Sequence, residues 1–356
     1  MAFDARPVVR GYDPSKITIA TMCSHSSLQI FHGARKEGFR TMGICVGAPP
    51  RYYEGFPLAR PDEFLVLKQW SDLFDPALVA ELRAKNVIVV PHGSFVEYVG
   101  STKFQDLQIP TFGNRAVLPW ESDRYKSKQW LDKAGLQLPK HITDPRDIIE
   151  PVIVKYHGAK GGRGFFIARN YHEFKRKIDE TQPYTIQEFV LGTRYYLHYF
   201  YSPINGEFYQ MRKGSLQFMG TDRRDETNID EANRLGSIAE LEAIGIQPTF
   251  VVTGNFPLVI RESLLPKIFK MGEGVVDSSW DLFGGIWGSF CLETVVTDKM
   301  EFKVFEISAR IVAGTNPYIA GSPYTEFIEP GLSTGRRIAR EIKMAGNEGK
   351  LDVICT

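Results

Sequence analysis

Val152-Ile153-Val154-Lys155-Tyr156-His157-Gly158-Ala159-Lys160-Gly161-Gly162-Arg163-Gly164-Phe165-Phe166-Ile167-Ala168 is the stretch on which the fold turns. Four glycines in seven residues let backbone amides approach a phosphate chain closely, and Lys155, Lys160 and Arg163 add positive charge. Together they suit a polyphosphate cradle. No Gly-Lys-Ser/Thr closes the loop, so it is not a P-loop, and the G-x-x-G-x-x-G spacing is not a dinucleotide fingerprint. The run Phe165 to Ala168 reads as a strand, which makes the loop a flap between two antiparallel strands rather than the start of a helix. The competing reading is a flexible basic hairpin without a ligand.

Upstream of the flap, strand and helix signals alternate. Ile17 to Met22, Thr41 to Val46, Phe64 to Leu67 and Val87 to Val90 are short apolar runs. Between them lie a helical stretch with Leu28, Phe31 and Ala34 on one face and another that Asp75 caps and Pro76 opens. This alternation predicts a doubly wound α/β lobe over residues 1–122, with ligands beyond the carboxyl ends of its strands. Ser24 to Ser27 and His92 to Ser94 fall at two such ends. From about Asp123 the texture becomes α+β. A helix at Arg124 to Ala134 leads to the flap, strands follow at Thr185 to Val190 and Tyr195 to Tyr201, and two more come at Phe290 to Val296 and Phe302 to Ile307. The expected division is 123–202 with the flap and 203–356 with the late acidic strands, closed by a helix that turns Ile338, Ile342 and Ala345 inward.

Composition limits the chemistry. At 356 residues and roughly 150 per domain, two or three lobes are expected. Apolar residues make up 43% of the chain, enough for a sizeable core. Lys plus Arg (43) balance Asp plus Glu (42), so no global field favours nucleic acid or an anionic membrane. The four cysteines lack C-x-x-C spacing, the N-terminus does not read as a signal peptide, and no apolar run approaches the roughly 20 residues that span a bilayer. A cytoplasmic protein is the expectation.

Two further constellations carry chemistry. In Ile186-Gln187-Glu188-Phe189-Val190, Glu188 and the backbone up to Val190 could meet an adenine edge, which needs an acceptor for its amino group and a donor for a ring nitrogen. Later come Glu293 and Glu306, with Asp298 and Lys299 suited to the hairpin turn between them. A loop of two or four residues would set Glu293 opposite Val304 and Glu306 one diagonal step away, so both carboxylates share a face. Such like charges repel unless a divalent cation bridges them or one is protonated, and magnesium or manganese, taking one or two carboxylates plus nucleotide phosphates, fits them. A solvated hairpin face is the alternative. Ser308 and Arg310 extend along the same side. No Ser-His-Asp order or nucleophile elbow supports acyl-enzyme chemistry.

With these motifs in order, the chain resembles the ATP-grasp superfamily, and more narrowly the PurP family, the archaeal formate-dependent ligases that formylate 5-aminoimidazole-4-carboxamide ribonucleotide (AICAR) in purine biosynthesis. The matching stretches are Ile17 to Ser27, Val89 to Phe95, Phe112 to Arg115, Lys155 to Ala168, Glu226 to Asp230, Val252 to Asn255, Ile260 to Leu265 and Phe305 to Asn316. The resemblance implies a preATP-grasp lobe followed by an ATP-grasp fold of two α+β subdomains. It implies AICAR at His25, Ser94 and Asn255. It implies ATP at Lys155, Lys160, Gly161, Gly162, Arg163, Gly164, Glu188, Val190 and Glu226, and the metal at Glu293 and Glu306. Lys155 and Arg310 are the expected catalytic cations, acting on ATP, formate and AICAR, and a homo-oligomer is expected. The superfamily's usual Glu-x-Asn is Glu306-Ile307-Ser308 here. A ligase for a larger acid and a nucleotide-binding paralogue without turnover are the rival functions.

Overall fold

A computed structural model describes residues 3–156, 164–246 and 249–356 of the chain. Lys160, Gly161, Gly162 and Arg163 of the flap lie outside the described residues. Among the described residues no helix is long and apolar enough to cross a membrane, and the four cysteines are free thiols.

The first lobe is the expected parallel sheet. Strands β1 (Thr18–Met22), β2 (Arg40–Val46), β3 (Glu63–Leu67) and β4 (Val87–Val89) run in the order β3-β2-β1-β4, every pairing parallel. All residues of β1 and β4 are buried, as strands covered on both faces must be. On one face sit the helix Ser27–Lys36 and the C-terminal helix Thr334–Asn347, whose Ile338, Ile342 and Ala345 join Ile19, Ile30 and Ile88 in one core. The two helices cross tightly. A Cβ at Gly33 would lie 2.2 Å from the Arg336 amide nitrogen and one at Gly335 would lie 2.3 Å from the Gln29 carbonyl oxygen, so only glycine permits the approach. The chain therefore returns to the first lobe at its end, and Thr356 exchanges backbone hydrogen bonds with Thr111.

The flap strands build a small antiparallel sheet. Strands β5 (His141–Ile142), β6 (Val152–Tyr156), β7 (Phe165–Ala168) and β8 (Tyr184–Glu188) take the order β5-β8-β6-β7. The hairpin β6–β7 that the glycine pattern predicts is present, with Lys155 opposite Phe165 and Gly164 accepting from the Tyr156 amide.

The third sheet has six antiparallel strands: β9 (Thr193–Ser202), β10 (Tyr209–Gln210), β11 (Ser215–Glu226), β12 (Val252–Leu258), β13 (Gly288–Val296) and β14 (Phe302–Ser308). Sequence reading put residues 193–202 with the flap, but β9 bonds to β11 and β13. The sheets change over at 189–192, because Leu197, Tyr199 and Tyr201 need the core that the helix Leu265–Phe283 supplies through Ile268, Val275 and Val276. The helix Arg124–Lys133 belongs to this layer as well, since Trp130 donates its indole N–H to the Val275 carbonyl oxygen at 3.0 Å.

Candidate active site

Because side chains alternate along a strand, one face of the six-stranded sheet meets the apolar helix and the other faces the first lobe. The second face carries Asn255 on β12, Asp222, Arg224 and Glu226 on β11, Arg194, Tyr196 and His198 on β9, Glu293 on β13, and Glu306 and Ser308 on β14, aligned by the register of the ladders. That register corrects one expectation. The β13–β14 loop holds five residues (297–301), with Met300 at φ 57°, and a β-bulge interrupts the ladder between Glu293 and Thr294. Glu293 therefore lies directly opposite Glu306 rather than opposite Val304. The odd loop moves the pairing by one residue and the bulge by another, and the two shifts together keep both carboxylates on one face.

Arginines pair with several acids around this face. Arg224 grips Glu293 with two hydrogen bonds of 2.9 and 3.3 Å and stacks on the Tyr196 ring at 3.6 Å. Arg310 pairs with Glu121 at 3.0 Å, while the other Glu121 oxygen accepts from the Ala309 amide. Arg194 pairs with Glu226 at 3.2 Å. Glu306 is reachable by solvent yet ringed by protein. That surround first, and then Glu293 and Glu121, push its carboxyl up to about 7. Lys155 is lowered by its surroundings first and then by Arg194 and Arg124, with Glu306 pulling the other way. A lysine lowered by nearby cations is poised for an anion.

The first lobe closes over this face. His25 follows β1 and His92 follows β4, and their rings stack at 5.2 Å with 4° between planes. An isolated bridge pairs His92 with Ile311, next to Arg310. The buried His92 ring is held by the Met22 carbonyl oxygen at one nitrogen and accepts from the Ser94 amide at the other, and burial lowers it to about 4. His25 has φ 54° and is also lowered, by the surrounding protein first and then by His92, Arg310 and Arg224. Both imidazoles are thus neutral near pH 7, and Ser94 is buried beside them.

Of the expected site residues, the structure brings Glu293, Glu306, Arg310, His25, Ser94 and Asn255 around one junction, with Lys155 within electrostatic reach of Glu306. Glu188 turns its carboxylate to the Lys140 amide at 3.0 Å and stands 3.9 Å from the Lys303 ammonium. Val190 follows it, half-buried, and Glu226 accepts from Arg194. Ser308 follows Glu306 on the same face of β14, and the Asn316 amide donates to the His25 carbonyl oxygen while its oxygen accepts from Gln29. Sequence reasoning missed Asp222, Arg224, His198 and Glu121. The first two, like Glu226, recur at period two in Thr221-Asp222-Arg223-Arg224-Asp225-Glu226, a signal for one face of a strand.

The paired acids fit a divalent cation that also takes nucleotide phosphates. Among the described residues no group of three or more His, Cys, Asp or Glu forms a metal cage. A pair in which the protein surround and then Glu293 raise Glu306 matches an ion that keeps waters and phosphate oxygens for its remaining positions.

Comparison with known proteins agrees with this geometry. Family models described as a protein of unknown function (DUF1246) and a domain of unknown function (DUF1297) match residues 19–142 and 172–356. The 5-formaminoimidazole-4-carboxamide-1-(beta)-D-ribofuranosyl 5'-monophosphate synthetase of Methanosarcina barkeri is 64% identical over 97% of both chains. The protein of the same name from Pyrococcus abyssi is 47% identical over 95% of this chain and 98% of its own. Among solved structures, an IMP biosynthesis protein PurP from Thermococcus kodakaraensis aligns with a TM-score of 0.74 at 28% identity, covering 95% of this chain and all of that one. N5-carboxyaminoimidazole synthetase from Staphylococcus aureus complexed with ADP, at 13% identity, a TM-score of 0.60 and coverage of 94% and 79%, shares the fold alone. A parallel lobe followed by a flap sheet and an antiparallel sheet that presents paired acids and cations defines an ATP-grasp enzyme. Within that class, the chain belongs to the PurP family of 5-formaminoimidazole-4-carboxamide ribonucleotide synthetases.

Proposed function

We propose that this chain formylates the 5-amino group of AICAR, using formate and ATP and releasing ADP and phosphate. The observation that carries the reading is the junction itself, where opposed Glu293 and Glu306 lie under loops that offer neutral His25 and His92. Formate is a poor electrophile because oxide would have to leave, and the amine is a poor nucleophile because the ring and carboxamide withdraw its lone pair. Phosphorylation cures the first defect. A formate oxygen attacks the γ-phosphorus in line, the bond to the β-phosphate oxygen breaks, and ADP departs, leaving formyl phosphate. The amine then attacks the formyl carbon, phosphate leaves with the bridging oxygen, and nitrogen loses a proton.

The residues divide this work. Lys155, the flap backbone and Arg310 hold the transferring phosphoryl group, Glu188, Val190 and Glu226 hold the nucleoside, and His25, Ser94 and Asn255 hold the ribonucleotide. A neutral His25 can accept or donate one hydrogen bond to AICAR without adding charge. Magnesium or manganese on Glu293 and Glu306 would supply charge neutralisation to the phosphates.

Mixing the protein with ATP, a divalent metal, formate and AICAR tests this reading. ADP and formylated ribonucleotide should appear in equal amounts and only when formate is present. ADP formation indifferent to formate would overturn the assignment.

A further inference from the structure

The buried carboxylate of Asp222 has no place in the scheme above, yet it touches a residue that does. We infer that Asp222, backed by His198, is a positioning residue that locks the amide of Asn255 with its carbonyl oxygen toward the bound ribonucleotide. The inference rests on the placement of AICAR at Asn255 proposed above.

Asp222 is fully buried, and its two oxygens go to different partners. Oδ1 lies 2.7 Å from Nε2 of the buried His198, and Oδ2 accepts from the Asn255 amide nitrogen, also at 2.7 Å. The register reinforces the link, because His198 sits on β9 and Asn255 on β12, the two neighbours of β11. Gly314 packs close to the carboxylate: a Cβ there would be 2.3 Å from Oδ1, so no larger residue fits. The second ring nitrogen of His198 is buried without a partner among the described residues. Asp222 is therefore the polar partner of that ring among the described residues.

This geometry decides a question that an isolated asparagine leaves open. A carboxylate only accepts hydrogen bonds, so the nitrogen of Asn255 must face Asp222. The planar amide then carries Oδ1 on its other branch, away from the buried acid. Asn255 is half-buried at the cleft, and its free branch is an acceptor suited to an N–H or O–H donor of the ribonucleotide. If the amide were free to flip, half of its orientations would offer a donor to a donor, and a buried mismatch of that kind is disfavoured.

Steady-state kinetics on the full chain separates the outcomes. Asn255→Ala should raise KM for AICAR by about tenfold, the worth of one well-placed hydrogen bond. The isosteric Asp222→Asn should raise the same KM to a similar degree, leaving kcat and the KM values for ATP and formate within about twofold. The double variant should be no worse than Asn255→Ala, since both changes remove one interaction. His198→Leu, which takes the donor from Asp222, should raise the same KM, and His198→Gln, which can still donate, should reverse that rise, so the set remains informative even if Asp222→Asn folds poorly. A fall in kcat or a rise in all three KM values for Asp222→Asn and His198→Gln alike would mark a purely structural carboxylate and overturn the inference. Asp222→Asn without effect beside an impaired Asn255→Ala would overturn it while sparing the ribonucleotide placement. A neutral Asn255→Ala would overturn both.

Discussion

Glu306→Gln is expected to cut turnover by about 1000-fold while making the ligand-free protein more stable at pH 8. The two effects share a cause. Glu306 sits opposite Glu293 with Glu121 near, and its carboxyl is raised mainly by the surrounding protein and then by those two acids. Glutamine keeps the shape and removes the charge, so the repulsion disappears along with the charged oxygen that the proposed divalent ion would use. The sign with pH follows. Below about pH 4.5 the carboxyl is protonated in both the folded and unfolded chains, and the variant gains nothing. As pH rises toward 7 the unfolded chain gives up a proton that the folded chain keeps, so the wild type loses stability and the variant does not. Above that point the gap is constant, on the order of 1 kcal/mol after allowing for solvent access to Glu306. Thermal melts of both proteins at pH 5 and pH 8, beside ADP release, measure the two effects. Equal melting differences at both pH values would contradict the electrostatic origin, and wild-type turnover would make the acidic hairpin a solvated surface.

The second large effect is expected at Arg310. Its guanidinium pairs with Glu121, and its Nε is buried without a partner among the described residues, a donor left over for a ligand. Arg310→Lys should lower kcat by about 100-fold, since an ammonium keeps the charge and loses the planar fork. Arg310→Met should lose more activity and also about 3 kcal/mol of stability, because Glu121 is then a buried acid without its cation. Adding Glu121→Gln to Arg310→Met should restore most of the stability and none of the activity. Recovery of both in the double variant would mean that Arg310 serves only to neutralise Glu121.

Much of this architecture was legible in the residues. Short apolar runs alternating with amphipathic stretches, one of them opened by Asp75 with Pro76, specify the parallel lobe through local chemistry, and each of those strands lies within a residue or so of its expected place. The flap hairpin follows from glycines between two apolar runs. The central sheet was only partly readable. Ser215–Glu226 has an apolar start and a charged end, so no single alternation covers it, and the helix Leu265–Phe283 opens on a proline and contains two glycines. What assembles the site is long-range: the pairing at Glu293 depends on both a five-residue loop and a bulge, and the partners Arg224, His198 and Glu121 come from strands and a helix far apart in the chain. Register of that kind is set by packing against the long helix and the first lobe, which no local pattern encodes.

The central claim is that ATP activates formate by phosphorylation before the amine attacks. Formate labelled with oxygen-18 in both positions tests it directly. One labelled oxygen should appear in each inorganic phosphate formed and one in the new formamide. Phosphate released without label during formylation would contradict the account.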